Sequence, residues 1–229
     1  VNAVVPMLLS RNSRQYPTIL SLNRKLASLY GAVIEASISK VGEIQQLKLG
    51  MTCLDDRFSL DGEKITSQCI KLLLSMVFDP LLDDNGFFPA ERTEREKQVL
   101  IEKIESEENE KRLYALKKAE ELMFEGEPYA ICKYGTKKQI SEITPAAATE
   151  GWKRILKSAK IVLTVIGNAD VECAKADFLE CLNKTERSYS ALDYAKISFD
   201  VPKVKQKKEA LDVKQGKLVI GFHAECSPK

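Results

Sequence analysis

Apolar residues recur at Ile19, Leu22, Leu26 and Leu29, a spacing that predicts a helix from Tyr16 to Leu29 with Pro17 tolerated in its first turn. Gly31 stops it, because glycine accepts the left-handed conformation in which many helices end. The period then changes. Ile34, Ala36 and Ile38 alternate with polar neighbours, and so do Leu47, Leu49 and Met51. Two alternating runs, 32–39 and 43–52, with Gly42 between them predict a β-hairpin.

Beyond the hairpin, residues 55–62 are polar and turn-like, and Ile65, Cys69, Leu72, Leu73 and Met76 mark a helix from Ile65 to Phe78. Pro80 disfavours helical geometry at Asp79 and ends that helix. After a loop over 83–89, the charged stretch from Pro89 to about Glu125 reads as one long helix that ends near Gly126. Glu107 and Lys111, and Glu108 and Arg112, stand at favourable i,i+4 spacing along it. Thr144 as cap and Pro145 at the first helical position open a further helix through Ala159. Residues 160–167 form a continuous apolar run, the signature of a strand buried on both faces. Val171 to Leu182 returns to helix. This order of elements is that of an α+β protein rather than a strictly alternating one.

At 229 residues and 44% hydrophobic content, the chain has the material for one large domain or two small ones. Its net charge of +2 supplies no broad basic field, so nucleic acid is a poor partner. Lys203, Lys205, Lys207, Lys208 and Lys214 do cluster within 201–216. Glu209 and Asp212 interrupt them and no aromatic residues are interleaved, so the stretch reads as a solvated linker rather than a ribosome- or RNA-binding module. No apolar run approaches the roughly 20 residues that span a bilayer. Six cysteines, Cys53, Cys69, Cys132, Cys173, Cys181 and Cys226, contain no C-x-x-C pair and read as reduced thiols of a cytoplasmic protein. The apolar opening from Val1 to Leu9 and the strand-like run from Lys217 to Phe222 suggest a piece of something about twice as long, since an apolar strand needs a neighbour.

Candidate chemistry is sparse. The sequence holds one histidine, His223, so a hydrolase built on two histidines is excluded within these residues. Glu102, Glu105 and Glu108 are spaced to form either a carboxylate cluster or an ordinary solvated helix face, and the second reading is the plainer. A nucleophilic cysteine would need an activating base that the chain lacks, and Cys69 and Cys173 read as packing residues.

The element order, together with Gly126, Glu127, Pro128 and Tyr129, then Tyr134 and Gly135, then Ile143, Thr144 and Pro145, then the run 162–170, resembles the N-terminal half of the M16 (insulinase/pitrilysin-like) peptidases over nearly the whole chain. Leu29, Tyr30, Gly31 and Ala32, with Ile38, Ser39 and Lys40 and with Gly42 and Glu43, are similar to a bacterial branch of that family associated with modification of elongation factor P. The resemblance implies the LuxS/MPP-like architecture, a two-layer α/β sandwich with a mostly antiparallel sheet covered by helices. It also implies a domain over 1–200, a basic linker over 201–216 and the first strand of a second half over 217–229.

In active members an H-x-x-E-H helix places two histidines on zinc with a glutamate as general base, and a V-x-x-E-E helix adds a further glutamate. Here Asn2 and Pro6 stand at the histidine positions, Val5 at the general base and Lys103 at the distal ligand, after Val99 and Glu102. The resemblance therefore implies a non-catalytic chain without metal or cofactor. It would act in a dimer with a homologous subunit that keeps the zinc motif, on a peptide or protein substrate. The rival expectation is an active zinc peptidase whose site is supplied by residues outside this sequence.

Overall fold

A computed structural model describes residues 1–191, 203–211 and 214–222. The alternating segments form an antiparallel ladder, β1 (Val33–Val41) and β2 (Ile44–Thr52). Gly42 opens the two-residue turn with φ +58, the sign that lets the turn follow the right-handed twist of the strands. The register sets Ile34 opposite Met51, Ala36 opposite Leu49 and Ile38 opposite Leu47. The six apolar residues of the sequence pattern thus share one face. Glu35, Ser37, Gln46 and Lys48 look out to solvent from the other. A sheet that is apolar on one side only accepts helices on that side only.

The helices are α1 (Val5–Leu9), α2 (Ile19–Ser28), α3 (Ile65–Phe78), α4 (Ala90–Asn109), α5 (Lys111–Met123), α6 (Lys137–Ser141), α7 (Pro145–Ser158) and α8 (Val171–Asn183). Two apolar clusters fill the space beneath the hairpin. The larger gathers Val4, Val5, Leu8 and Leu9 with Leu100 and Ile104 of α4 and Ala148, Trp152 and Leu156 of α7, under the turn end of the ladder at Ile38. The smaller joins Leu22 and Leu29 to Ile65, Cys69, Leu72 and Met76 of α3, under Ile34 and Met51. Gly151 is what lets α7 lie against the opening segment. A Cβ built there would stand 2.5 Å from the Val1 side chain and force the two apart.

Local rules account for several boundaries. Thr144 caps α7 by accepting from the Ala147 N–H at 3.2 Å, and the helix runs to the predicted end. Helix α3 matches its predicted span and stops before Pro80. Helix α2 starts later than the expected Tyr16. Thr18 and Ser21 exchange side-chain bonds with each other's backbone in a capping box, which fixes the start at Ile19 and leaves Pro17 outside.

Two expectations are corrected. The stretch 89–125 is two helices, because Glu110 leaves helical geometry at ψ 99 and its carboxylate accepts from the N–H groups of Arg112 and Leu113, capping α5 anew. The i,i+4 pairs that would have spanned this point are replaced by longer-range ones, Lys137 with Glu105 and Glu108 and Lys133 with Glu107. Residues 160–167 are not a buried strand: no ladder partner faces them among the described residues, and Val162 and Ile166 are exposed at 68% and 94%. Residues 217–222 have no ladder partner among the described residues, and Leu218, Ile220 and Phe222 are exposed. An apolar run becomes a strand only where a neighbour accepts its backbone bonds.

These packings separate residues that look alike in sequence. Leu100 is fully buried while Leu113, one turn into α5, is half exposed. Leu100→Ala is expected to destabilise the chain by about 2–5 kcal/mol and Leu113→Ala by about 0.5 kcal/mol or less, read from urea unfolding midpoints.

Candidate functional site

The opening segment is a 3-10 turn, Asn2–Val4, that runs into α1. Its side chains divide by direction. Ala3, Val4, Val5, Pro6, Met7, Leu8 and Leu9 are all buried, whereas Asn2 faces outward and its Oδ1 accepts from the Arg154 guanidinium of α7 at 2.8 Å. Val5, the residue expected at the general-base position, is 2% exposed and belongs to the larger core. Pro6 lies in the first turn of α1, where its missing N–H costs no helix bond.

Lys103 is on the exposed side of α4, and its ammonium stands 5.6 Å from the centre of the Tyr134 ring. A second ammonium, that of Lys133, lies 4.7 Å from the same ring. Glu107 balances them, accepting from the Tyr134 hydroxyl at 3.1 Å and pairing with Lys133 at 3.3 Å. Burial opposes the charge on Lys133, but the Tyr134 hydroxyl and Glu107 outweigh it and raise its pKa. Burial also pushes the Tyr134 phenol above its ordinary range. Both groups are held in their protonated forms at neutral pH.

Between these elements lies a shallow depression of about 360 Å³, lined in part by Asn2, Lys40, Gln45, Cys132, Lys133 and Arg154. Lys40, at the end of β1, is the member with the most hydrogen bonds: its ammonium donates to the carbonyls of Pro128, Tyr129 and Ile131 at 2.6–2.8 Å. One lysine thereby ties the hairpin to the loop after α5, and desolvation lowers its pKa. The lining sets Lys40, Lys133 and Arg154 against one carboxylate, Glu43, so its balance is basic. Such a balance attracts carboxylates and repels metal ions.

The carboxylates that remained as metal candidates are committed elsewhere. Glu105 and Glu108 both pair with Lys137 at the start of α6, at 3.3 and 2.8 Å, and Glu102 is exposed. Among the described residues no three histidine, cysteine, aspartate or glutamate side chains come together in a metal-binding group. The donor set near Asn2, Val5, Pro6 and Lys103 therefore does not fit zinc. His223 and Cys226 lie outside the described residues.

One buried charge was not singled out by sequence reasoning. Glu96 of α4 is 2% exposed; its Oε1 pairs with Arg11 at 3.2 Å and its Oε2 has no hydrogen-bond partner. The Arg92 guanidinium, one turn back, has an equally unpartnered buried nitrogen. Because the surrounding charges are cations, Glu96 acts as their counter-ion and fastens α4 to the end of α1. The signal was present: Thr93, Glu96, Lys97, Leu100 and Ile104 are the buried stripe of α4, and two of them are charged.

No protein-family model matches the sequence. The chain is similar to a probable inactive metalloprotease, YmfF, of Bacillus subtilis (strain 168), with 25% identity over 228 residues. That match covers 98% of this chain and 52% of the relative, so the chain spans about half the relative's length. Among solved structures it superposes on a conserved protein from Enterococcus faecalis V583 with a TM-score of 0.63 and 27% identity, over 69% of this chain and 37% of that one. A peptidase M16 inactive domain from Pseudomonas fluorescens superposes with a TM-score of 0.62 over 85% of this chain and 43% of the other; at 16% identity it speaks for the fold. The chain is thus similar in sequence to a probable inactive metalloprotease and in fold to a peptidase M16 inactive domain.

The basic lining has a direct consequence. Restoring the distal acid alone supplies one carboxylate and no imidazole, which is short of the three protein ligands that catalytic zinc takes. After equilibration with zinc chloride and desalting, both the chain and its Lys103→Glu variant are expected to carry far less than one zinc per molecule by elemental mass spectrometry. A stoichiometric ion in the unaltered chain would overturn this account of the site.

Proposed function

We propose that this chain is the non-catalytic half of an M16-like clamp, paired with a homologous zinc-bearing subunit and contributing to the binding or processing of a peptide or protein segment. The observation that carries the reading is the packing around the opening helix. Asn2, Val5 and Pro6 stand where active relatives carry zinc ligands and a general base, and this stretch is built into the apolar core and tied by Arg154 rather than left as an open polar site. Lys103 puts a cation where the distal acid would be. The inactive description of the Bacillus subtilis relative supports the same reading.

In this proposal residues 1–200 form one M16-like domain, 201–216 a linker and 217–229 the first strand of a second half. The domain would complete a two-layer sandwich in the assembled protein, with the β1–β2 hairpin as part of its sheet. A clamp of two homologous halves needs one zinc site, and the other half supplies walls. An extended substrate added to a sheet edge would gain main-chain hydrogen bonds with little demand on its sequence. The likeness to the branch associated with elongation factor P extends the proposal to a substrate connected with that modification.

Co-expression with a zinc-bearing homologue tests the pairing. The two together are expected to co-purify and to cleave peptides faster than the summed rates of each alone. Separate elution and strictly additive rates would remove the partnership.

A further inference from the structure

The cations of the basic depression are not equally committed. Lys133 is paired with Glu107 at 3.3 Å, and Lys40 spends its three ammonium donors on the carbonyls of Pro128, Tyr129 and Ile131. Arg154 is different. It is exposed on α7, and Glu150, one turn back on the same helix, pairs with Lys153 instead. Its Nη2 donates to the Asn2 Oδ1 at 2.8 Å, and among the described residues it meets no carboxylate. A guanidinium carries five N–H donors in a flat fork, so this bond steadies the group and leaves donors for a ligand. Asn2 accepts through Oδ1 and so keeps its Nδ2 as a further donor on the same wall.

Charge and shape select what such a site takes. Glu43 adds a negative charge to the lining, which disfavours a dianion more than a singly charged group. A planar carboxylate matches one guanidinium through two parallel hydrogen bonds. The Lys40 ammonium, held in place by its carbonyls, adds positive potential without competing for those bonds. Pro128 and the exposed Ile131 give the depression an apolar side for a hydrocarbon stem. Its volume of about 360 Å³ lies at the small end of the range for ligand sites, roughly 300–1,000 Å³, and suits a side chain with its adjoining backbone.

We propose that Arg154 and Asn2 bind a carboxylate of an extended peptide in this depression, with the fixed charge of Lys40 in the same lining. The proposal rests on the reading of the chain as a peptide-binding half and adds the class of peptide that it takes. An aspartate or glutamate side chain and a C-terminus offer the same group to the fork.

The test uses the full chain alone and a short rhodamine-labelled peptide, with binding followed by fluorescence anisotropy. One form of the peptide carries a single glutamate and an amidated C-terminus. A second has glutamine in its place, and a third keeps the glutamine but has a free C-terminal carboxylate. At least one carboxylate form is expected to bind about tenfold or more tightly than the uncharged form, and the form that does so identifies the source. Arg154→Gln abolishes that preference. Arg154→Lys, which keeps the charge but loses the fork, retains only part of it. Lys71→Gln removes the same charge from the exposed side of α3 and leaves the preference intact. Because Arg154 and Lys71 are both exposed, the thermal midpoint is expected to stay where it is in all three variants. Equal affinity for every form, no binding of any, or a preference that survives Arg154→Gln would overturn the site. Peptide binding that ignores carboxylates sinks the site and leaves the clamp standing, whereas carboxylate-dependent binding with strictly additive rates on co-expression removes the pairing and leaves the site.

Discussion

Burial of the opening helix is the constraint on which the larger core depends. Val4, Val5 and Leu8 are at 0–2% exposure, and the short α1 touches both strands, α4 and α7. Each such side chain contributes roughly 1.5–3 kcal/mol by leaving water, so a five-residue helix with no side-chain cap is held by its neighbours rather than by its own hydrogen bonds. Gly151 permits that approach, and the Arg11 to Glu96 pair closes the far end of the segment onto α4. From Ala3 to Leu9 every side chain of the segment is buried, so it has hydrocarbon to offer the core and no polar face to offer a ligand.

What was legible in the sequence was local. The hairpin register follows from two alternating runs and a glycine, because a one-residue slip would turn Ile34, Ala36 and Ile38 out to solvent. The ends of α3 and α7 were legible because Pro80, Thr144 and Pro145 act on their own backbone. The break at Glu110 was not. Both flanking segments are rich in helix-forming residues, and nothing in composition distinguishes a glutamate within a helix from one that caps a new helix. The run 160–167 misled for a different reason: hydrophobicity records what a strand requires, while exposure depends on whether another strand lies beside it.

The same division holds at the candidate site. The missing imidazoles could be read directly, since no register shift creates a histidine in the first nine residues. The compensating arrangement was hidden, because it is assembled from four distant segments. Lys40 caps three carbonyls some ninety residues away, Arg154 holds Asn2, and Lys103 and Lys133 share the Tyr134 ring. The branch-like motifs also acquire physical content. Tyr30, at φ 57, ends α2 together with Gly31, and its hydroxyl meets the Glu63 carboxylate while accepting from the Leu60 N–H. Ser39, Lys40, Gly42 and Glu43 lie at and beside the hairpin turn. These residues keep the fold's shape, and so they persist in a chain whose chemistry differs.

The charges around Tyr134 are balanced by the side chains of α4 and of Lys133 themselves. A carboxylate at position 103 would sit beside Glu107 and within reach of Glu102, and without a cation those like charges would repel across a half-exposed surface. Lysine at that position reverses the sign and gives the buried Tyr134 a second ammonium, a contact worth on the order of 1 kcal/mol. An acid at position 5, where Val5 is 2% exposed, would cost several kcal/mol to bury, and the hydrocarbon there avoids that cost. Both positions therefore carry the side chain that their surroundings favour: a cation among carboxylates and an aromatic ring at 103, and an apolar group inside the core at 5.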